Sequence, residues 1–192
     1  MRTKGILFIG FVILNLGLLA QTSSRHWLSL ETDPITTVFG ARTLSFTIEP
    51  LKPKHWSWFG NIVRADFPDW MDELLNPKNA DKGFDSEISI GGGIGIDYFF
   101  KEDREGLYVG LLSLFFEYSI SRDQLRAPLL THNLIPRLGY RWYPWKKLSW
   151  YLNPFLGWRY EHSFGKSLEL GEQRFLPAGW QPFGTIHLGF HF

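Results

Sequence analysis

Through most of the chain beyond residue 85, apolar residues recur at every second position, and no other feature constrains the fold as tightly. Successive side chains of a strand point to opposite faces, so this period belongs to strands with one apolar side. In 86–100, Ile88, Ile90, Ile94, Ile96 and Tyr98 share one face, against Glu87, Ser89, Gly91, Gly93, Gly95 and Asp97. In 106–120, Tyr108, Leu112, Leu114, Phe116, Tyr118 and Ile120 oppose Ser113, Glu117 and Ser119. In 132–143, Leu134, Leu138, Tyr140 and Trp142 oppose Asn133, Arg137, Gly139 and Arg141. In 148–161, Trp150, Leu152, Leu156, Trp158 and Tyr160 oppose Tyr151, Asn153, Arg159 and Glu161. The final segment sets Ile186, Leu188, Phe190 and Phe192 against Thr185, His187, Gly189 and His191.

Two architectures satisfy this pattern. A soluble secreted sandwich turns its apolar faces together, whereas a membrane barrel turns them to lipid and lines its lumen with the polar faces. The segments run from ten to fifteen residues, well beyond the ~5–6 of ordinary soluble strands. Trp and Tyr cluster near the ends of the apolar faces, where a membrane interface prefers them. The opposite faces mix Arg with Asp, Glu and Gly, which suits a crowded lumen. These features predict an all-β fold, an eight-stranded antiparallel transmembrane β-barrel with a short helix in an extracellular loop.

Connections agree. Links at 50–54, 101–105 and 144–147 are short, and those at 67–85, 121–131 and 162–182 are longer, as when turns face one compartment and loops the other. Counting back from the C-terminus gives strands at 183–192, 148–161, 132–143, 106–120, 86–100, 56–66 and 41–49. An eighth is needed before them, and 25–31 is the candidate, with Asp33-Pro34 opening a helical turn that ends near Gly40. Alternation in 56–66 is irregular and leaves its facing unassigned. Pro68 to Leu75 carries acids in its first turn and apolar residues at helical spacing, which predicts a short amphipathic helix over the barrel mouth.

Residues 1–20 read as a secretory signal: Arg2 and Lys4 precede an apolar run from Gly5 to Ala20 that is shorter than a spanning helix needs. Residues 21–192 then form the barrel domain. Without Arg2 and Lys4 the remainder holds 18 basic and 19 acidic residues, so it carries no basic excess for nucleic acid. The chain has no cysteine, which excludes disulfide frameworks, thiolate metal sites and a cysteine-linked lipid anchor. Mean hydropathy is only −0.13 despite 17% aromatic residues, as expected when each apolar residue alternates with a polar one.

The segment Thr185-Ile-His-Leu-Gly-Phe-His-Phe192 ends on an aromatic with apolar residues at every second preceding position. It resembles the terminal signal by which the barrel-assembly machinery recognises its clients, carried here by Ile186, Leu188, Phe190 and Phe192. The chain as a whole resembles small Gram-negative outer-membrane barrels of the type of outer-membrane proteins A (its membrane domain), X and W. That resemblance implies a monomeric, porin-like cell-envelope protein in contact with outer-membrane lipid and lipopolysaccharide. A structural, surface-interaction or narrow transport role follows from it.

An eight-stranded barrel is just wide enough for side chains to fill. A charge network of Glu87, Asp97, Glu117, Arg137, Arg141, Arg159 and Glu161 is expected to close the lumen, because buried arginines demand partners. The alternative is a water-filled pore in which the same residues are solvated. Simple pairing sets Asp97 level with Arg141 near the periplasmic end, Arg137 midway, and Glu87 and Glu117 with Arg159 at the outer end. Gly91, Gly93 and Gly95 would leave room for Phe115, Tyr151 or Phe155.

No catalytic set, cofactor or metal site is expected. His162-Ser163, with Glu161 and Glu169 nearby, brings to mind barrel enzymes that deacylate lipid A, and a lipid-directed enzyme is the second functional reading. His187 and His191 lie four residues apart on one strand, ~13 Å, too far to share a metal. They read as lumen hydrogen-bonding groups.

Overall fold

The structure is a computed structural model that describes residues 28–145, 148–164 and 168–192. The signal segment expected at 1–20 and the first residues of the 25–31 strand lie outside the described residues.

Eight long strands carry the architecture: β1 (Leu28–Thr32), β2 (Ala41–Ile48), β3 (Trp56–Asp66), β4 (Asp85–Phe99), β5 (Gly106–Arg122), β6 (Leu125–Arg141), β7 (Trp150–Ser163) and, after two short ones, β10 (Trp180–His191). The short strands, β8 (Glu169–Leu170) and β9 (Gln173–Arg174), form a small separate hairpin. The eight close on themselves in the order β1-β10-β7-β6-β5-β4-β3-β2, and every pairing is antiparallel. Closure leaves no sheet edge, and this single barrel replaces the two-layer sandwich considered above. The C-terminal strand completes the ring by pairing with β1, with Leu30 opposite Phe190 and Thr32 opposite Leu188.

The links β2–β3, β4–β5 and β6–β7 gather at one end of the barrel, the turn end. At the other end, the loop end, α1 (Pro34–Val38) follows β1 and α2 (Asp69–Leu75) follows β3. Asp33 caps α1 by accepting from the Thr36 amide at 3.0 Å. Gly40 then reverses the chain at φ +98°, and a Cβ there would overlap the Asp66 carbonyl oxygen.

One expected loop does not exist. Residues 121–131 are strand except for the two-residue turn Asp123-Gln124, with Asp123 at φ 55° and Arg122 paired to Leu125. Polar Ser, Arg and Asp there suggested a loop, but long-range pairing continues both strands past the positions where alternation fades.

The inward faces are clear for β6, β7 and β10, as expected: Asn133, Arg137 and Arg141, then Tyr151, Asn153, Arg159 and Glu161, then Thr185, His187 and His191 are all buried. In β3, Ser57, Phe59, Asn61 and Ala65 point inward. Strand β5 reverses the expectation. Tyr108, Leu112, Leu114, Phe116 and Ile120 are buried inside, while Leu107, Val109, Leu111, Phe115 and Glu117 are exposed outside. Both faces of β5 are apolar, so its few polar residues mislead, and only pairing with β4 and β6 fixes the facing.

The outward surface is a belt of exposed apolar residues, including Leu44, Ile62, Ile90, Ile94, Leu138, Leu156 and Ile186. Exposed Trp56, Phe100, Tyr140 and Trp142 border it at the turn end, and Trp158, Tyr160 and Trp180 toward the loop end.

Candidate functional site

The inward face divides into two chambers of opposite chemistry. At the turn end, Arg137 and Asp97 form a fully buried bidentate pair, Nε to Oδ1 at 3.0 Å and Nη2 to Oδ2 at 2.7 Å. Gly110 sits between them in the ladder, opposite Asp97 on one side and Arg137 on the other. A Cβ at Gly110 would overlap Asp97 Oδ1, so the missing side chain is what lets the pair meet. The guanidinium is packed among rings, with centroids of Phe155, Phe59 and Tyr108 at 4.7, 5.0 and 5.4 Å.

Below this pair, Arg141 contacts Glu49 directly and lies 3.9 Å from Glu31. The rings of Phe99 and Tyr151 flank it at 4.5 and 4.8 Å. Glu31 is saturated: it accepts from Tyr151 Oη at 2.6 Å, Thr47 Oγ1 at 3.1 Å and Asn153 Nδ2 at 3.3 Å, and lies 2.9 Å from His187 Nδ1. Arg104, from the β4–β5 turn, closes the bottom by reaching Glu49 at 3.5 Å and donating to the Pro50 and Trp56 carbonyls. Burial lowers the Arg104 pKa from its ordinary value. Three carboxylates thus face three guanidiniums, with buried hydrogen bonds around them, which is the condition for a tolerable buried charge cluster. Beside the cluster, Tyr143 Oη lies 2.6 Å from His191 Nε2, and burial pushes the hydroxyl's pKa up to about 12.

Above Phe59, Phe155 and His187, which form its floor, the lumen opens into a cavity of about 640 Å³. Strands contribute Ala41, Val63, Ile88, Leu112, Leu114 and Phe116. Helix α2 covers it with Met71, Leu74 and Leu75, as expected of an amphipathic helix over the mouth. A second strap, 175–179, is held to the α2 connection by Asn79. Its Oδ1 accepts from the Leu176 amide and its Nδ2 donates to the Leu176 carbonyl, both at 2.9 Å. Asn76 donates to that same carbonyl, also at 2.9 Å. The volume and apolar lining are those of a small-molecule site.

Of the residues expected to form one charge network, Asp97, Arg137 and Arg141 lie in the turn-end chamber, with Arg137 rather than Arg141 bridged to Asp97. Arg159 and Glu161 are buried at the loop end without an ion pair between them. Glu161 accepts from the Ala178 amide at 3.0 Å and the Tyr118 hydroxyl at 3.5 Å. Glu87 and Glu117 are not in the lumen. A bulge between Ile88 and Ile90 shifts the alternation, so Ile88 turns inward and Glu87 outward, bridged by Arg64 at 2.8 Å and Arg126 at 3.0 Å. Glu117 is exposed because β5 faces the other way. Of the glycines, Gly91 lies against Phe116 and Gly95 against Leu112, while Tyr151 packs on Gly189.

Sequence reasoning missed Glu31, Glu49 and Arg104. Ser45, Thr47 and Glu49 alternate with Leu44, Phe46 and Ile48, a signal that was legible. Arg104 sits in the short charged link 101–105, which was read only as a turn. Among the expected C-terminal residues, Ile186 is exposed on the outer face, and Phe190 packs edge-on to Trp150 and Phe192 at 5.1 and 5.2 Å.

His162 and Ser163 do not form a dyad. His162 is exposed, opposite His132 in the ladder and edge-on to Phe164 at 5.3 Å. A Ser–His contact lies elsewhere: Ser113 Oγ is 2.8 Å from His132 Nε2 on the outward face, beneath the Phe115 ring at 4.7 Å from His132. His187 and His191 go to separate partners, Glu31 and Tyr143.

No family model and no curated protein matches the sequence. The crystal structure of a major outer membrane protein from Thermus thermophilus aligns with 86% of this chain and 98% of its own, at 17% identity and a TM-score of 0.45. That likeness is too distant to bear on function. The closed barrel rests on the strand pairing of this chain itself.

Proposed function

We propose that the protein is an integral outer-membrane barrel whose lumen is sealed at the turn end, similar in type to the small outer-membrane proteins A, X and W. The observation that carries this reading is the outward belt of exposed Leu, Ile, Trp and Phe around a closed barrel. Water would disfavour an apolar surface of that extent, and a bilayer favours it. The aromatic borders fit two interfaces, and the exposed Arg64 and Arg126, with the half-buried Glu87 that they bridge, lie on the loop-end extension beyond the belt. In this orientation the short turns are periplasmic. The terminal strand is read by the assembly machinery, and lipid with lipopolysaccharide surrounds a monomer. The filled turn-end chamber argues for a surface or binding role rather than conduction.

Membrane fractionation with heat-dependent gel migration tests the assignment: outer-membrane recovery and a faster-migrating unheated form are expected, and a soluble, heat-insensitive protein would overturn it. Planar-bilayer recording tests the seal. A large, stable conductance would overturn the closed lumen.

The Ser113–His132 hydrogen bond favours a second reading, an enzyme that cleaves lipid acyl esters with Ser113 as nucleophile and His132 as base. Loss of acyl release from phospholipid or lipid A in Ser113→Ala would support it, and an unchanged lipid profile would remove it.

A further inference from the structure

Arg159 differs from the other buried arginines of the lumen. It is 7% exposed and lines the cavity, yet its side chain makes no hydrogen bond or ion pair among the described residues, and its Nε is buried. Gln181, directly opposite it in the β7–β10 ladder, also lines the cavity and has a buried Nε2 without an acceptor. Two unmet donor groups therefore sit side by side in an otherwise apolar chamber. Lys78 Nζ, which donates to the Pro177 carbonyl at 3.2 Å near the mouth, adds a second positive charge. One carboxylate, Asp33, lines the same space, and it is occupied by the Thr36 amide and by Thr185 Oγ1 at 2.7 Å. A guanidinium is expensive to bury without a counter-charge, and the buried Glu161, two residues along β7, is turned to the Ala178 amide and the Tyr118 hydroxyl and makes no ion pair with it.

The geometry points to a binding site for a single-chain anionic amphiphile, whose alkyl chain fills the apolar cavity and whose carboxylate or phosphate pairs with Arg159 and Gln181. Chain and head have separate matches: Leu112, Leu114, Phe116 and Phe155 for the chain, and planar guanidinium donors for the anion. The ladder next to Arg159 is also interrupted. Pairing of β6 with β7 lapses at Ile135 and Pro136, between Leu134–Tyr160 and Arg137–Gly157, and Pro136 has no amide to donate. On the other side of β7, Pro182, Phe183 and Gly184 line both the cavity and an outward groove, which brings the site close to surrounding lipid. The inference rests on the proposed membrane location, which supplies alkyl chains, but its test is separate.

The test uses the full chain purified in a neutral detergent, after heat-dependent migration has shown that the barrel is folded. Hexadecanoate, hexadecyl phosphate and hexadecanol are titrated, with occupancy read by native mass spectrometry. Saturable one-to-one binding of at least one anionic probe, tenfold or more tighter than hexadecanol, is expected. A preference between the two anions identifies a fatty-acid or a phosphate head. Arg159→Gln should reduce the anion's affinity at least tenfold and leave that of hexadecanol unchanged. Ala41→Phe, which places a ring in the cavity, should abolish binding of all three while the barrel still shows heat-dependent migration. Equal affinity in wild type and Arg159→Gln, or no saturable binding by a folded barrel, would overturn the proposal. A protein found to be soluble would overturn the membrane assignment, whatever the binding result.

Discussion

The two ends of one lumen are built from the same strands but solve opposite problems. At the turn end every buried charge has a partner: Asp97 with Arg137, Glu49 with Arg141 and Arg104, and Glu31 with a ring of donors. At the loop end a buried arginine has none among the described residues, and it lines an apolar cavity of about 640 Å³. A wholly filled barrel would have no use for that space, and a pore would have no use for the seal. The contrast marks one half as a plug that sets stability and the other as a receptor that gives some of it up.

The largest effect should come from breaking the plug. Asp97→Asn or Gly110→Ala should destabilise the folded barrel by roughly 3–5 kcal/mol in a urea titration in micelles, because each leaves Arg137 buried without its counter-charge. A cost within ~0.5 kcal/mol would mean that water replaces the carboxylate and that the chamber is not sealed.

Next comes the strap. Asn79→Ala leaves both backbone polar groups of Leu176 without that partner, at a local cost of about 1–3 kcal/mol. Amide exchange at 175–179 should speed up and barrel amides should not. Uniform acceleration across the barrel would show that the strap is part of the global fold.

Arg159→Leu sharpens the comparison by reversing the sign. Removing an unpaired buried charge should leave stability unchanged or raise it by about 1 kcal/mol, whereas Arg137→Leu should lower it severely. Equal losses in both would erase the distinction between plug and receptor.

The smallest effect is expected at the surface. The Lys54 hydrogen bond and charge hold the Glu102 carboxyl below its ordinary range. The depressed pKa means that this contact stabilises the fold above the usual carboxylate range and is lost as pH falls below it. Both side chains are more than half exposed, so solvent screens them. Lys54→Ala should not measurably shift the urea midpoint at neutral pH, and a clear shift would assign the turn a larger structural part.

How far the sequence could be read varies strand by strand. Within 133–141, 151–161 and 185–191, strands β6, β7 and β10 carry arginine, asparagine, histidine or glutamate on one side only, so their inward faces followed directly from alternation. Strand β5 did not, because an apolar receptor chamber makes its inner face as oily as its outer one. Glu87 was misplaced by one extra residue at Ser89, since a bulge reverses every side chain beyond it and leaves no mark in a period-two pattern.

The sequence by itself determined the class: long alternating strands, short links alternating with longer ones, and enough strands to close a barrel. It also determined that arginines and carboxylates must share the interior. Which ones meet was decided only by tertiary structure. Ladder register and the absence of a side chain at Gly110 bring Asp97 to Arg137, and closure of the ring carries Glu31 from the first strand to His187 on the last. Alternation reports the face on which a residue lies. Its height and neighbours depend on stagger between strands far apart in the chain, and for that reason the plug was foreseeable while the apolar chamber with Arg159 in its wall was not.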